Sequence, residues 1–202
     1  GGATAQSFVD QTGLNRARIR DGFLTGETPD QILAALALID TGHQTRQYGF
    51  ADVRGNTGTF SGTGAGPWAG GRTGRFTYSH NGITGEIVYA IQGNVLAGPA
   101  VVDAAVDAVI NTPGDLADRM MAGMQAARLI GGDGRCSCQS GGPACGTPPP
   151  GFDPLTDKSA HIGYIFIART GDVDGCNGLY ASTELLYGVT LNDVNADGRP
   201  DA

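Results

Sequence analysis

The order of hydrophobic periodicities constrains this chain more than any other feature. Apolar residues recur at helical spacing in two stretches, change to alternation at Arg46, and return to helical spacing only from Pro99. Strands therefore come as a block between two helix pairs, with no alternating strand and helix units. A doubly wound parallel sheet needs that alternation, so the pattern predicts an α+β fold in which largely antiparallel sheet is covered by helix pairs.

Local signals place the elements. Residues 14–25 read as a helix with Leu14, Ile19, Phe23 and Leu24 inward, closed by Gly26. Thr28-Pro29 starts a second helix, because the hydroxyl caps and a proline at the first position loses no hydrogen bond. It runs to Ile39 and stops near Gly42. Tyr48, Phe50 and Val53 alternate on a strand, 54–56 is a turn, and 57–63 return as its hairpin partner. Residues 64–75 read as a glycine-rich loop around Trp68. Strand character resumes at 76–78, turns at Asn81-Gly82, peaks at 87–91 and ends in Gln92-Gly93-Asn94. Pro99 opens a third helix with Val101, Val102, Ala105, Val106 and Val109 inward. Asp115 begins a fourth, with Leu116, Met120, Met124, Ala127 and Leu129 inward, which ends at Gly131-Gly132. A Cys/Gly/Pro-rich insertion spans 133–157. Strands are expected at 159–168 and 185–191.

Composition removes several classes. Glycine fills 34 of 202 positions without a Gly-X-Y period, and proline only 10, which excludes collagen and linker. The net charge is −7, with twelve unclustered arginines and a single lysine, Lys158, so nucleic acid and anionic membrane surfaces are poor partners. The longest apolar run, near 32–39, is too short to span a bilayer. The chain opens on Gly1-Gly2 without an initiator Met, as expected of a processed product. Cys136, Cys138, Cys145 and Cys176 lie in loops, and their even number points to disulfides and a secreted or cell-surface setting. Their spacing fits no usual zinc module, and His43, His80 and His161 are scattered. Neither a phosphate loop nor a Gly-x-Ser-x-Gly elbow occurs, so no nucleotide or organic cofactor is expected.

Two polar clusters fall where elements end. At Gln92-Gly93-Asn94 a pair of amides can donate to a developing oxyanion or hold a substrate carbonyl, or else satisfy loop backbone. Asp133 and Arg135, just past a helix C-terminus, can orient a ligand or form a structural ion pair. Trp68 is a core or interface anchor, or a substrate platform.

Five separated motifs resemble one family. Arg46-Gln-Tyr-Gly-Phe-Ala-Asp52, Trp68-Ala-Gly, Tyr89-Ala-Ile-Gln-Gly-Asn-Val-Leu-Ala-Gly98, Gly131-Gly-Asp-Gly-Arg135 and Lys158-Ser-Ala-His161 occur in the order and spacing of the DUF1028 family, over roughly residues 3 to 178. The resemblance implies the N-terminal-nucleophile (Ntn) hydrolase fold, a four-layer αββα sandwich. It implies an amide or peptide hydrolase, and the linkage of some relatives to peptidoglycan-binding domains suggests cell-envelope material as substrate. Members carry the terminal nucleophile on a strand that precedes the segment Gly2-Ala-Thr-Ala-Gln6. Gly1 has no attacking side chain, and Thr4 and Ser7 are not terminal, so the nucleophile is expected in a preceding segment. Asn94 and the backbone near Gly93 would be oxyanion donors, Asp133, Arg135 and Ser159 would position substrate or the amine, and Gln92, Gly93 and Trp68 would line the substrate site. The alternative is a non-catalytic extracellular assembly or envelope-binding module on the same fold.

The insertion is similar to that of secreted members. Cys136 is expected to be oxidised, with Cys176 or a cysteine of the preceding segment as partner, while Cys138 with Cys145 closes a small loop. A missing strand would leave backbone groups that a neighbour's strand or the preceding segment must pair, and a homo-oligomer is expected. Residues 179–202 form an extension. There Asp193, Asn195, Asp197 and Asp201, with the Arg199 carbonyl, fall at calcium-loop positions around Gly198, so the segment is either a weak Ca2+ site or a solvated acidic tail.

Overall fold

The computed structural model describes residues 1–138, 142–163 and 165, together with the backbone of 191–192. In chain order the elements are β1 (Gly2–Ser7), α1 (Leu14–Thr25), α2 (Pro29–Ile39), β2 (Arg46–Ala51), β3 (Thr57–Ser61), β4 (Ala69–His80), β5 (Ile83–Asn94), α3 (Ala100–Asn111), α4 (Leu116–Leu129), the single turn α5 (Gly134–Ser137), β6 (Ile162–Gly163) and β7 (Leu191–Asn192). Among the described residues every strand pair is antiparallel: β1-β2-β3 form one sheet, β4-β5 a long hairpin, and β6-β7 a short pair. The α+β class with antiparallel sheets is as the periodicity predicts.

Cap and turn chemistry fix the boundaries. Thr28 and Gln31 bond each other's backbone N–H in a capping box at the start of α2, and Asp115 and Asp118 do the same for α4. Asn81 and Gly82 both have positive φ, the conformation that a two-residue hairpin turn requires.

Alternation along β2 decides how the layers stack. Tyr48 and Phe50 face α1 and α2, forming a core with Ile19, Ile32 and Leu36. Gln47 and Gly49 face the other way, toward β5, and a Cβ at Gly49 would lie 2.1 Å from the Gln92 side chain. A side chain there would push the Gln92 amide out of its place. On the hairpin, Arg72 and Phe76 point toward the second helix pair, where Arg72 meets Asp103 of α3 and the Arg119 guanidinium of α4 lies 5.3 Å from the Phe76 ring. Helix pair, sheet, hairpin and helix pair thus follow one another.

Several sequence expectations change in the fold. β1 was not expected. Its small residues carry no alternating apolar signal, and the ladder to β2, from Gly2↔Ala51 to Ser7↔Arg46, holds it instead. Leu14 and Leu24 of α1 are exposed, while Asn15, Ile19 and Gly22 are buried. Gly22 lets Ile32 of α2 approach to 2.7 Å from a would-be Cβ, and this close packing selects the buried face. In α4, Leu116, Met124 and Leu129 are exposed and Arg119 and Gly123 are buried. Gly123 sits against Val109 and Ala105 of α3, and Arg119 donates to the Val109 and Ile110 carbonyls at 3.0 Å each, satisfying orphan groups at the end of α3. Val53 is exposed because β2 stops at Ala51 and the Asp52 carboxylate organises the turn that follows. Residues 69–75 are strand rather than loop, since their glycines pair with β5 and admit the Trp68, Thr59 and Tyr89 side chains.

Cys138 and Cys145 form a disulfide. That pairing is as expected, whereas Cys136 is a half-buried free thiol in the structure, and Cys176, one of the partners expected for it, lies outside the described residues. Of the strand expected at 159–168, residues 162–163 form β6. Residues 159–161 and 165 are not strand, and 164, 166–168, the 185–190 strand, Cys176, and the 179–202 extension apart from the 191–192 backbone lie outside the described residues.

Candidate active site

A cavity of about 620 Å³ opens where β5 ends, bounded by the end of β1, by α3 and α4, and by the segments around Asp133 and Ser159. Gln92, Gly93, Asn94, Asp133, Arg135 and Ser159 all line it. Trp68 does not; its carbonyl accepts from the Leu96 N–H, and its ring lies against Gly70.

Backbone pairing gathers these distant residues. Beyond β5 the chain runs between two segments, with Ala97 N–H donating to Gly132 O (3.0 Å) and Gly134 N–H to Val95 O (2.9 Å). On the other side, Ala144 N–H donates to Leu96 O (2.9 Å) and Gly146 N–H to Ala97 O (3.0 Å). Asp133 N–H then reaches Ser159 O at 2.8 Å. Gly132, at φ 49°, makes the crossing possible: a Cβ there would lie 2.6 Å from the Ser159 carbonyl oxygen. The Cys138–Cys145 disulfide closes the loop that carries Ala144, and Gly146 follows it directly, so the bond braces the segment that pairs with Leu96 and Ala97 just beyond Asn94.

Gln47, which the sequence reading passed over, organises the amide end. It is fully buried. Its Nε2 donates to Gly93 O (2.7 Å) and Ser61 Oγ (2.8 Å), and its Oε1 accepts from Asn94 Nδ2 (3.1 Å) and from Gln6 Nε2. Gln92 donates to Thr4 Oγ1. One N–H of Asn94 is therefore committed to orientation, and the amide has a second to offer. The available signal was a lone amide inside an apolar strand, since such a group must find partners when buried.

Asp133 and Arg135 form the structural pair that was one of their two readings. Arg135 Nε lies 3.0 and 3.1 Å from the two carboxylate oxygens, and Asp133 Oδ1 also caps α5 by accepting from Arg135 N–H at 2.8 Å. The hydrogen bond to Asp133 raises the Arg135 pKa, while burial and then the Asp133 charge push the Cys136 thiol up. Arg128, in the last turn of α4, and Met121 and Met124 also line the cavity, and no sequence motif marked them as site residues.

The Arg46–Asp52 motif serves the fold. Arg46 pairs with Asp40 at 2.8 Å, and that hydrogen bond holds the Asp40 carboxyl well below the usual range. Asn15 Nδ2 donates to Tyr48 Oη at 2.8 Å, and burial pushes Tyr48 up to about 12. Among the described residues no group of three or more His, Cys, Asp or Glu is placed to hold a metal, and the 193–201 loop lies outside them.

A family model described as a family of unknown function, DUF1028, matches residues 1–143. This chain belongs to the DUF1028 family. The matched stretch contains Gln47, Gln92, Asn94, Asp133 and Arg135, while Ser159 lies beyond it. Among solved structures, this DUF1028 chain is similar to protein SPO2555 from Silicibacter pomeroyi, also of DUF1028, at 21% identity and a TM-score of 0.48. That match covers 62% of this chain and 52% of the other, so the chain spans about half the length of its structural relative. No curated protein matches it.

Proposed function

We propose that this DUF1028 protein is an extracellular Ntn-type hydrolase of an amide or peptide bond in cell-envelope material. One observation carries the reading: a single cavity collects Asn94, Asp133, Arg135 and Ser159 from segments far apart in the chain. In this reading the remaining N–H of Asn94 and the backbone beside Gly93 donate to the oxyanion of the tetrahedral intermediate. Arg135, oriented by Asp133, and Ser159 position the substrate. The nucleophile is a terminal Thr, Ser or Cys brought to the cavity, its own α-amine acting as base. The Cys138–Cys145 disulfide supports the extracellular location.

The test is covalent labelling of protein bearing its native terminus with β-lactone and electrophilic amide probes, read by intact mass. A single adduct on the terminal residue, lost in Asn94→Ala, is expected. No adduct across a broad panel refutes the hydrolase. A second reading, a non-catalytic envelope-binding or assembly module, is favoured by the engagement of Asp133 with Arg135 and of Asn94 with Gln47. It predicts binding to envelope fragments with no adduct.

A further inference from the structure

The cavity lining holds two kinds of group, the apolar side chains of Ile91, Leu96, Val101, Val102, Met121 and Met124, and the polar ones of Gln92, Asn94 and the Asp133–Arg135 pair. The two charges of that pair offset each other across a fork of hydrogen bonds. Among the described residues Arg128 then remains as an uncompensated positive charge in the lining, in a chain whose net charge is −7. It is half-buried and its side chain makes no hydrogen bond or ion pair among the described residues, whereas Arg18, Arg46, Arg54, Arg72, Arg75 and Arg135 are each ion-paired. Its place in the last turn of α4 favours a cation whether or not a ligand is bound, so the charge is preorganised. A guanidinium partly withdrawn from water in a cavity that apolar side chains also line selects an anion that carries an apolar chain. Methionine suits such a chain, because its unbranched thioether adapts to variable shapes.

We propose that the cavity binds an apolar acyl-amide bearing a free carboxylate, with Arg128 holding the carboxylate and the acyl chain lying along α3 and α4. Two sources present this chemistry, a free N-acyl amino acid and the carboxyl end of a peptide with apolar side chains. The proposal deepens the hydrolase reading by naming its substrate class, and only the amide part rests on that reading. The carboxylate and the apolar chain follow from the cavity alone.

The experiment measures binding without turnover, by calorimetry on the whole chain. N-octanoylglycine represents the free N-acyl amino acid, acetyl-Leu-Leu-Gly the peptide end, and N-octanoylglycinamide the uncharged control. The acids should bind at least about tenfold more tightly than the amide. Arg128→Gln should bring N-octanoylglycine down to the affinity of its amide and leave the amide unchanged. Met124→Glu, at a position already 37% exposed, should weaken both acids by like-charge repulsion without unfolding the chain. The tighter of the two acids identifies the source. Equal binding of acid and amide, no response to Arg128→Gln, or no binding of any probe at millimolar concentration overturns the proposal. Failure of covalent labelling with carboxylate-selective binding intact removes the hydrolase reading alone. Labelling without carboxylate selectivity removes this one alone.

Discussion

Replacing Gln47 by Met keeps nearly the same volume and removes every polar contact of a side chain with no solvent exposure. Four short hydrogen bonds disappear, those to Gly93 O at 2.7 Å and Ser61 Oγ at 2.8 Å and those from Asn94 Nδ2 at 3.1 Å and Gln6 Nε2, together with a long one to Gly70 O at 3.4 Å that shares an N–H with the others and adds little. At about 1 kcal/mol net each, their loss costs about 4 kcal/mol. The thioether recovers about 1–2 kcal/mol by being easier to desolvate than an amide. The net destabilisation is then about 2–3 kcal/mol, a large fraction of the roughly 5–15 kcal/mol by which domains are stable. With a urea m-value of about 2 kcal/mol/M, the unfolding midpoint falls by about 1–1.5 M. Equilibrium urea unfolding followed by Trp68 fluorescence and by circular dichroism measures it. Gln47→Glu should be worse at neutral pH, since an ionised carboxylate would face the Gly93 carbonyl, and should partly recover on acidification. A Gln47→Met protein within about 0.5 kcal/mol of the parent would refute the claim that this amide organises the end of β5, because surface-like changes have that size.

Three further outcomes follow from particular contacts. At Asp52, burial raises the carboxyl pKa, but hydrogen bonds from Asn56 and Arg54 outweigh it and bring it to about 2. A folded-state pKa below the unfolded value gives stability that is fully present above the ordinary 3.8 and is lost as pH falls through about 2, so Asp52→Asn should flatten the acid limb of stability against pH in that window. Removing the disulfide with Cys138→Ser and Cys145→Ser should cost about 2–3 kcal/mol for a loop of this short span, and should speed amide exchange first at Ala144 and Gly146; an unchanged melting temperature would count against it. Gly132→Ala forces a left-handed φ and a backbone clash, and should lose about 2 kcal/mol or more in thermal unfolding.

Much of the local structure was legible in the residues themselves. The Thr28-Pro29 and Asp115 starts, the Asn81-Gly82 turn, the end of β5 at Asn94 and the absence of strand and helix alternation all emerged from the sequence, because capping, turn φ and periodicity depend on residues a few positions apart. The same holds for the polar residues at 92–94 and 133–135, which stand out wherever the chain changes direction. Tertiary structure decided which face of each element is buried and what those polar residues meet. Asn15 is buried where Leu14 is exposed, Gly123 packs where Met124 was expected, and β1 exists because β2 offers it a ladder. Gln47, Gly49 and Arg128 acquire their roles only from neighbours tens of residues away. Burial and close approach are set by the volumes and hydrogen-bonding needs of partners that the folded chain brings into contact, and no window of sequence contains them.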